Sequence, residues 1–393
     1  MIKRTLQELC LNITDGKHGD CENEENSGYY FISCKDIFDG QINYKNARQI
    51  TKADFEETHK RTMLEVDDIL LTNSGTIGRM AFVTDREATT KTTFQKSVAI
   101  IKPDKQKVLP RYLYYQLQNC VPQFINSSNG SAQKNLLLST MRTFQIEIEE
   151  NREKQEKIAN TLSAYDDLIE NNQRQIKLLE ETAQRLYKEW FVDLRFPGHE
   201  NTKIVDGVPE GWNEKTLSQV ANVIMGQSPK SEFYNSEKKG LPFHQGVGSY
   251  GVRFVMDDIY STSYTRIAEP NSILFSVRAP VGRLNITKNK VVIGRGLAAI
   301  NQTDGCQSYL YYLLKNKFFK DNIVGNGSIF ASVSKDELLN QKFLIPERNL
   351  MMQFEKIVSQ MDKQIENLDS KNKKLIEARD RLLSKLMSGE VEV

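Results

Sequence analysis

Residues 112–119 read YLYYQLQN and residues 309–316 read YLYYLLKN. An echo like this limits the fold more than composition does, because a chain that repeats itself folds as copies of one unit. The surroundings echo too. DDILLTNSGTIGRMAF (67–82) precedes the first stretch and NSILFSVRAPVGRLNI (271–286) the second, with Gly78-Arg79 matching Gly282-Arg283. NGSAQKN (129–135) follows the first and NGSIFAS (326–332) the second. Near the starts, TLQELCLNIT (5–14) parallels TLSQVANVIM (216–225). At 393 residues the chain is also too long for one ordinary core. Two diverged copies of one unit are expected.

Each copy ends in a long helical pattern. In the first, Ile158, Leu162, Tyr165, Ile169, Asn172, Ile176, Leu179, Ala183, Leu186 and Trp190 step by four and three without a break. In the second, Phe354, Val358, Met361, Ile365, Leu368, Asn372, Leu375, Arg379, Leu382 and Leu386 do the same. Such spacing is a coiled-coil seam. Pro346 suits the start of the second helix. Gly389 suits its end, and Pro197 lies beyond the first. Helices of about 40 residues would be about 60 Å long, and neither can bury its stripe alone. Related by a pseudo-two-fold axis, they are expected to pack antiparallel and hold the two globular units apart. Asn172 and Asn372 interrupt the seams, either as polar positions tolerated in a partly wet seam or as register devices.

The predicted organisation is α+β: a mixed unit over 1–149, a helix over 150–192, a linker over 193–212, a second mixed unit over 213–346 and a second helix over 347–390. The linker's Pro, Gly and Asn mark the boundary. YYFIS (29–33), DILLT (68–72), SVAIIK (97–102) and SILFSV (272–277) read as strands. PRYLYYQLQN reads as a helix with Pro110 in its first turn, its Tyr and Leu residues serving the core.

Composition narrows the function by exclusion. Apolar residues make up 39% and charged residues 26%, as in a globular protein. A formal charge of +2 neither demands nor excludes nucleic acid; a local basic surface matters more. Residues 1–149 balance 19 Lys+Arg with 19 Asp+Glu, whereas residues 201–345 carry 17 against 12, a net +5. The five cysteines are scattered and never form CxxC, which suits free thiols in a reducing cytoplasm. No signal peptide or membrane helix is expected. GVGSYG (246–251) fits GxGxxG, but the residues after it look extended rather than helical, so it makes a poor dinucleotide loop. There is no P-loop, HExxH, GxSxG or Pro-Pro pair, and the four histidines are dispersed. No catalytic constellation, metal site or cofactor site is expected in this chain.

The polar candidates lie in glycine-bearing loops. In the first copy these are ITDGKHG (13–19), TNSGTIGR (72–79), TFQKS (93–97) and NGSAQKN. In the second they are GQSPKSE (226–232), HQGVGSYGVR (244–253), SVRAPVGR (276–283), IGRG (293–296) and NGSIFASVSK (326–335). Their Arg, Lys, Gln, Asn, Ser and Thr side chains are of the kind that read base edges and hold phosphates, and glycine lets backbone approach closely.

Together these features resemble the specificity (S) subunit of type I restriction-modification enzymes, over essentially the whole chain. ITDGKHG, DDILLTNSGTIGR and NGSAQKNL carry the likeness in the first half; VPEGWNEKTLSQVA, PFHQGVGSYG and APVGR carry it in the second. LYKEWFVDLRFPGHE is similar to the family's first helical region. The resemblance implies two target recognition domains, each reading one half of a split, asymmetric DNA sequence. It implies helical spacers that seat two methyltransferase (M) subunits, with restriction (R) subunits added. S-adenosylmethionine, ATP and Mg would sit on those partners, and the S chain would be non-catalytic. It points to Lys17, His18, Asn73, Thr76, Arg79, Gln95, Lys96, Gln133 and Lys134 as DNA contacts in the first half. In the second it points to Gln227, Lys230, His244, Gln245, Arg253, Arg278, Arg283 and Arg295. Arg79 and Arg283, at matching places, could instead serve the turn. A stand-alone bipartite DNA-binding regulator would bind specific DNA tightly as a purified chain. A coiled-coil interaction protein would show no salt-sensitive DNA binding, and an enzyme with an unfamiliar site would modify DNA unaided.

Overall fold

The computed structural model describes residues 1–128, 134–318 and 332–392. The chain parts into two units, Met1–Asn171 with Lys371–Val393 and Asn172–Ser370. This division falls inside the long helices, Arg152–Phe191 and Arg348–Ser388, and not in the linker. Each helix gives one half of its length to each unit, because each half packs on that unit's globular layer.

In unit 1 an antiparallel sheet runs Cys10–Asp15, Val98–Pro103, Ile69–Thr72, Met80–Phe82. In unit 2 the order is Ala221–Met225, Leu297–Gln302, Ile273–Ser276, Leu284–Ile286. The topology is the same strand for strand. Outside it, Ile2–Thr5 pairs with Gln145–Ile148, and Asn213–Thr216 pairs with Lys342–Ile345. A further layer in each unit contains one parallel pair: Tyr30–Ile32 beside Thr92–Phe94, and Leu241–His244 beside Val291–Ile293.

The strands read as unbroken apolar runs because both faces of each sheet are covered. In unit 1, Ile69, Leu71, Ala99 and Ile101 face the helix Pro110–Asn119, while Leu70, Val98 and Ile100 face Ile32 and Phe94. In unit 2, Ile273, Phe275, Ala298 and Ile300 face the helix Gln307–Phe318, while Leu274, Leu297 and Ala299 face Val291 and Ile293.

Twelve of the twenty seam positions are buried and the other eight are half-buried. In unit 1, Ile158 and Leu162 share a core with Leu383 and Leu386, and Ile169 is buried. Tyr165, Leu375, Arg379 and Leu382 are half-buried. In unit 2, Ala183 and Trp190 share a core with Phe354 and Val358, and Ile365 and Leu368 are also buried. Ile176, Leu179, Leu186 and Met361 are half-buried. The start of the first helix meets the end of the second in unit 1, and the reverse holds in unit 2, so the helices run antiparallel in each. Both seam asparagines are buried, and Asn372 Nδ2 donates to the Ile169 carbonyl at 3.4 Å. That bond favours the register role.

The YLYY helix joins each sheet to the long helices. Tyr115 donates to Asp166 at 2.6 Å, and Arg379 binds the other Asp166 oxygen at 2.7 Å. The Arg111 guanidinium lies 4.6 Å from the Phe82 ring centre and 5.6 Å from that of Tyr115. Asp362 holds in the second helix the place of Asp166 in the first, each eight residues after Phe354 and Ile158. In unit 2 Arg253 bridges Tyr312, Asp362 and Glu180. The linker, read from its Pro, Gly and Asn as a boundary, carries a small hairpin, Ile204–Val205 with Val208–Pro209. Among the described residues, no helix is long and apolar enough to cross a membrane.

Candidate nucleic-acid interface

At one end of each four-stranded sheet five segments converge, held by matched backbone hydrogen bonds. In unit 1 a tight turn, closed by Val98 N to Gln95 O at 3.1 Å, leads into the central strand. Lys17 N donates to Phe94 O at 2.8 Å and Lys96 N to Lys17 O at 3.1 Å, which ties the 16–18 loop to that turn. Asn73 N donates to Ser97 O at 3.0 Å, Leu136 N to Asn73 O at 2.8 Å, and Gln95 N to Ile32 O at 2.8 Å.

Unit 2 repeats the frame. Leu297 N donates to Gly294 O at 3.0 Å, Gln227 N to Ile293 O at 3.0 Å and Val277 N to Gly296 O at 2.9 Å. Val333 N donates to Val277 O at 2.8 Å and Gly294 N to His244 O at 2.8 Å. The crossing of the first loop over the turn admits only glycine. A Cβ at Gly16 would lie 1.9 Å from Phe94 O, and one at Gly226 would lie 2.1 Å from Gly294 O.

The Gly-Arg echo closes one loop in the same way twice. The Thr72 hydroxyl donates to Thr76 O and accepts from Arg79 N at 2.9 Å. Ser276 donates to Pro280 O at 2.6 Å and accepts from Arg283 N at 2.8 Å. Gly78 and Gly282 sit at φ 93° and 85°, the left-handed region. The backbone of each arginine therefore serves the turn, while both side chains are exposed.

None of the converging segments (16–19, 33–34, 73–79, 94–98 and 134–136; 226–228, 245–246, 277–283, 294–297 and 332–334) contains an Asp or Glu, although the chain has 51. Unit 1 exposes His18, Thr76, Arg79, Lys96 and Lys134 there, with Gln95 half-buried. Unit 2 exposes Gln227, Gln245, Arg278, Arg283 and Arg295. The Gln245 amide oxygen accepts from Ser228 at 2.8 Å. Lys230 is exposed farther along its loop, 3.9 Å from Glu232. Gln133 lies outside the described residues.

Four candidates are placed differently from the surface positions expected of them. His244 is fully buried, its ring nitrogens bonded to Ser249 Oγ at 2.8 Å and Asp257 Oδ1 at 3.1 Å. It ends a strand inside the second layer and fixes the backbone beside Gln245. Arg253 is 2% exposed and belongs to the Tyr–Asp clasp. Asn73 is 4% exposed and acts through its backbone. Lys17 is bound by Asp54 at 2.9 Å and Glu57 at 3.1 Å from the helix Lys52–Thr62, and these carboxylates push its ammonium pKa up. Its charge is largely spent inside the unit.

Two cations that the loop patterns did not single out sit beside the frame. Arg61, at the end of that same helix, is half-exposed and binds Asp15, which also holds His18 Nε2 at 3.0 Å. Arg266 is exposed, and its carbonyl accepts from Ile293 N at 2.9 Å. Neither stands near a glycine-rich signature; only the tertiary pairing reveals them. Among the described residues no cluster of three or more His, Cys, Asp or Glu could hold a metal ion.

Two loop clusters bearing exposed cations on one repeated frame are the arrangement expected of a two-module polyanion-binding protein. A family profile described as "Type I restriction modification DNA specificity domain" matches residues 3–181 and 209–378, and the chain belongs to that family. It is 27% identical over 383 residues to the type I restriction enzyme MjaIX specificity subunit of Methanocaldococcus jannaschii, covering 92% of this chain and 87% of that protein. It is 24% identical over 372 residues to the type I restriction enzyme HindI specificity subunit of Haemophilus influenzae, covering 74% and 80% respectively. The crystal structure of a type I restriction-modification system S subunit from M. genitalium shares the fold, with a TM-score of 0.57 at 19% identity over 98% of this chain and 95% of that one.

Proposed function

We infer that this chain is the DNA sequence-recognition subunit of a type I restriction-modification complex, and that each unit reads one half of a two-part asymmetric site. The observation that carries this reading is the repeated frame itself. Two modules of one topology present loops with exposed cations and amides at the same sheet end, yet with different side chains. Phosphate contacts position such a protein and base-edge contacts specify the sequence. Two unlike modules suit two unlike half-sites.

The chain itself supplies placement. Adenine methylation, which requires the base to leave the stack, would be performed by two modification subunits carrying S-adenosylmethionine. ATP-dependent cleavage with Mg would belong to restriction subunits, and the complex would work on DNA in the cytoplasm.

The test is a genome-wide map of methylated adenine with and without this gene. A two-part asymmetric motif that vanishes on deletion, and that changes in one half only when residues 1–149 are exchanged for a relative's, supports the reading. A chain that binds specific DNA tightly but leaves methylation unchanged would be a stand-alone regulator.

A further inference from the structure

The internal repeat separates two kinds of DNA contact that a single module could not distinguish. The shared hydrogen bonds align the copies position by position. Phe94 matches Ile293, and the turn residues Gln95, Lys96 and Ser97 match Gly294, Arg295 and Gly296. By the same bonds His18 matches Ser228, Ser33 matches Gln245, and Ser74 matches Arg278.

At the second position of that turn both copies hold an exposed cation, Lys96 and Arg295. Around it the copies take opposite choices. Where unit 1 has the long side chains of His18 and Gln95, unit 2 has Ser228 and Gly294. Where unit 2 has Gln245 and Arg278, unit 1 has Ser33 and Ser74. A group needed whatever sequence is read should be present in both modules. A group that selects bases should differ between modules that read different bases.

We propose that Lys96 and Arg295 are the sequence-blind phosphate contacts of the two modules, and that base choice is set by His18 and Gln95 in unit 1 and by Gln245 and Arg278 in unit 2. An ammonium or guanidinium at the tip of a turn suits a phosphate oxygen. The amide of a glutamine and the fork of an arginine can each make paired hydrogen bonds to a base edge. The serine and glycine at the matching positions leave room for the partner strand without selecting it. This proposal rests on the reading of the chain as a DNA recognition subunit.

The test uses the full-length chain in its complex with the modification subunits. A randomised double-stranded DNA library gives the motif, and titration of one selected and one scrambled duplex over a salt series gives the affinities. Lys96→Gln and Arg295→Gln should leave the motif intact. They should weaken both duplexes by a similar factor and lower the log–log salt slope by about one. Arg278→Ser, which installs the residue unit 1 already accommodates on the same frame, should make one position of one half-site degenerate. Discrimination there should fall roughly tenfold or more. Gln245→Ser should do the same at another position of that half.

A changed motif in Arg295→Gln or Lys96→Gln, or an intact motif in Arg278→Ser, would overturn the assignment. If the unaltered complex selects no bipartite motif, the underlying reading fails instead, and the two failures are told apart by that control.

Discussion

Replacing Arg253 by methionine should destabilise unit 2 by about 3 kcal/mol. The guanidinium is 2% exposed and donates to Glu180 Oε1 at 3.2 Å, to Tyr312 Oη at 3.2 Å and to Asp362 Oδ1. It also lies 4.5 Å from the centre of the Tyr311 ring. Removing one partner from a buried ion pair costs about 3–5 kcal/mol, mainly because the opposite charge is left without compensation. Glu180 and Asp362 keep 19% and 22% side-chain exposure, so some water reaches them and the lower end applies. For a unit of about 200 residues this is a fall of about 6–12 °C in Tm. The assay is selective, because both tryptophans, Trp190 and Trp212, lie in the unit 2 core. Their fluorescence follows this unit, while circular dichroism follows the whole chain.

The cause can be checked by acid. Burial raises the Asp362 pKa and Arg253 pulls it down, so the variant's carboxyl should titrate higher still. A carboxyl whose folded pKa exceeds its unfolded value stabilises the fold at low pH and loses that contribution as the pH rises through the folded value. The deficit of Arg253→Met should therefore shrink on acidification. Adding Glu180→Gln and Asp362→Asn should recover most of it at neutral pH. A shift below about 2 °C in the single variant, or a triple variant no more stable than the single, would refute the charge argument.

Three further outcomes are expected. Burial pushes Asp68 up to about 6, against the pull of Lys102 Nζ at 2.7 Å; its stabilising contribution is whole below its unfolded value near 4 and lost as pH rises through about 6. Carbon NMR of labelled aspartate should show that midpoint, and Lys102→Met should raise it. Tyr115→Phe removes the 2.6 Å bond to Asp166 without changing ring volume, and should cost about 1–2 kcal/mol in urea unfolding followed by circular dichroism. Gly226→Ala forces a Cβ to 2.1 Å from Gly294 O; it should cost about 1–3 kcal/mol by overpacking and degrade only the half-site read by unit 2, as an adenine-methylation map would show.

Much of the fold was legible because local pattern and tertiary role coincide. The helix Pro110–Asn119 begins at the proline that cannot sit deeper in a helix. Ile69–Thr72 and Val98–Pro103 stand out because strands covered on both faces are apolar throughout. The seam positions follow from a spacing that only a paired helix requires. The site was legible less evenly. Arg253 reads as a loop cation in HQGVGSYGVR, and nothing nearby announces that Glu180 and Asp362, on two distant helices, will enclose it. His244 closes a strand that is buried from Pro242 onward, so the side chain that ends it lies inside. Lys17 lost its freedom to Asp54 and Glu57, which arrive with a helix that unit 1 alone carries at that place. The hairpin at 204–209 had a signal, the Asp206-Gly207 turn, but in a linker it reads as punctuation.

One chain can hold two modules of different specificity because its copies share a frame and differ at the exposed loops. What the copies share is interior: the strand order, the glycine crossings at 16 and 226, the hydroxyl-closed loops ending at Arg79 and Arg283, and a tyrosine of YLYY linked to an aspartate on a long helix, directly in unit 1 and through Arg253 in unit 2. Even that clasp tolerates change, since its cations come from Arg111 and Arg379 in one unit and from Arg253 in the other. Stability is stored in buried sheet faces and in these clasps, away from the converging loops. The exposed tips can then exchange a serine for a glutamine or an arginine at little energetic cost to the fold. Such a frame can take on new half-sites one loop at a time, because a side chain that need not hold the structure together is free to be chosen for the bases it meets.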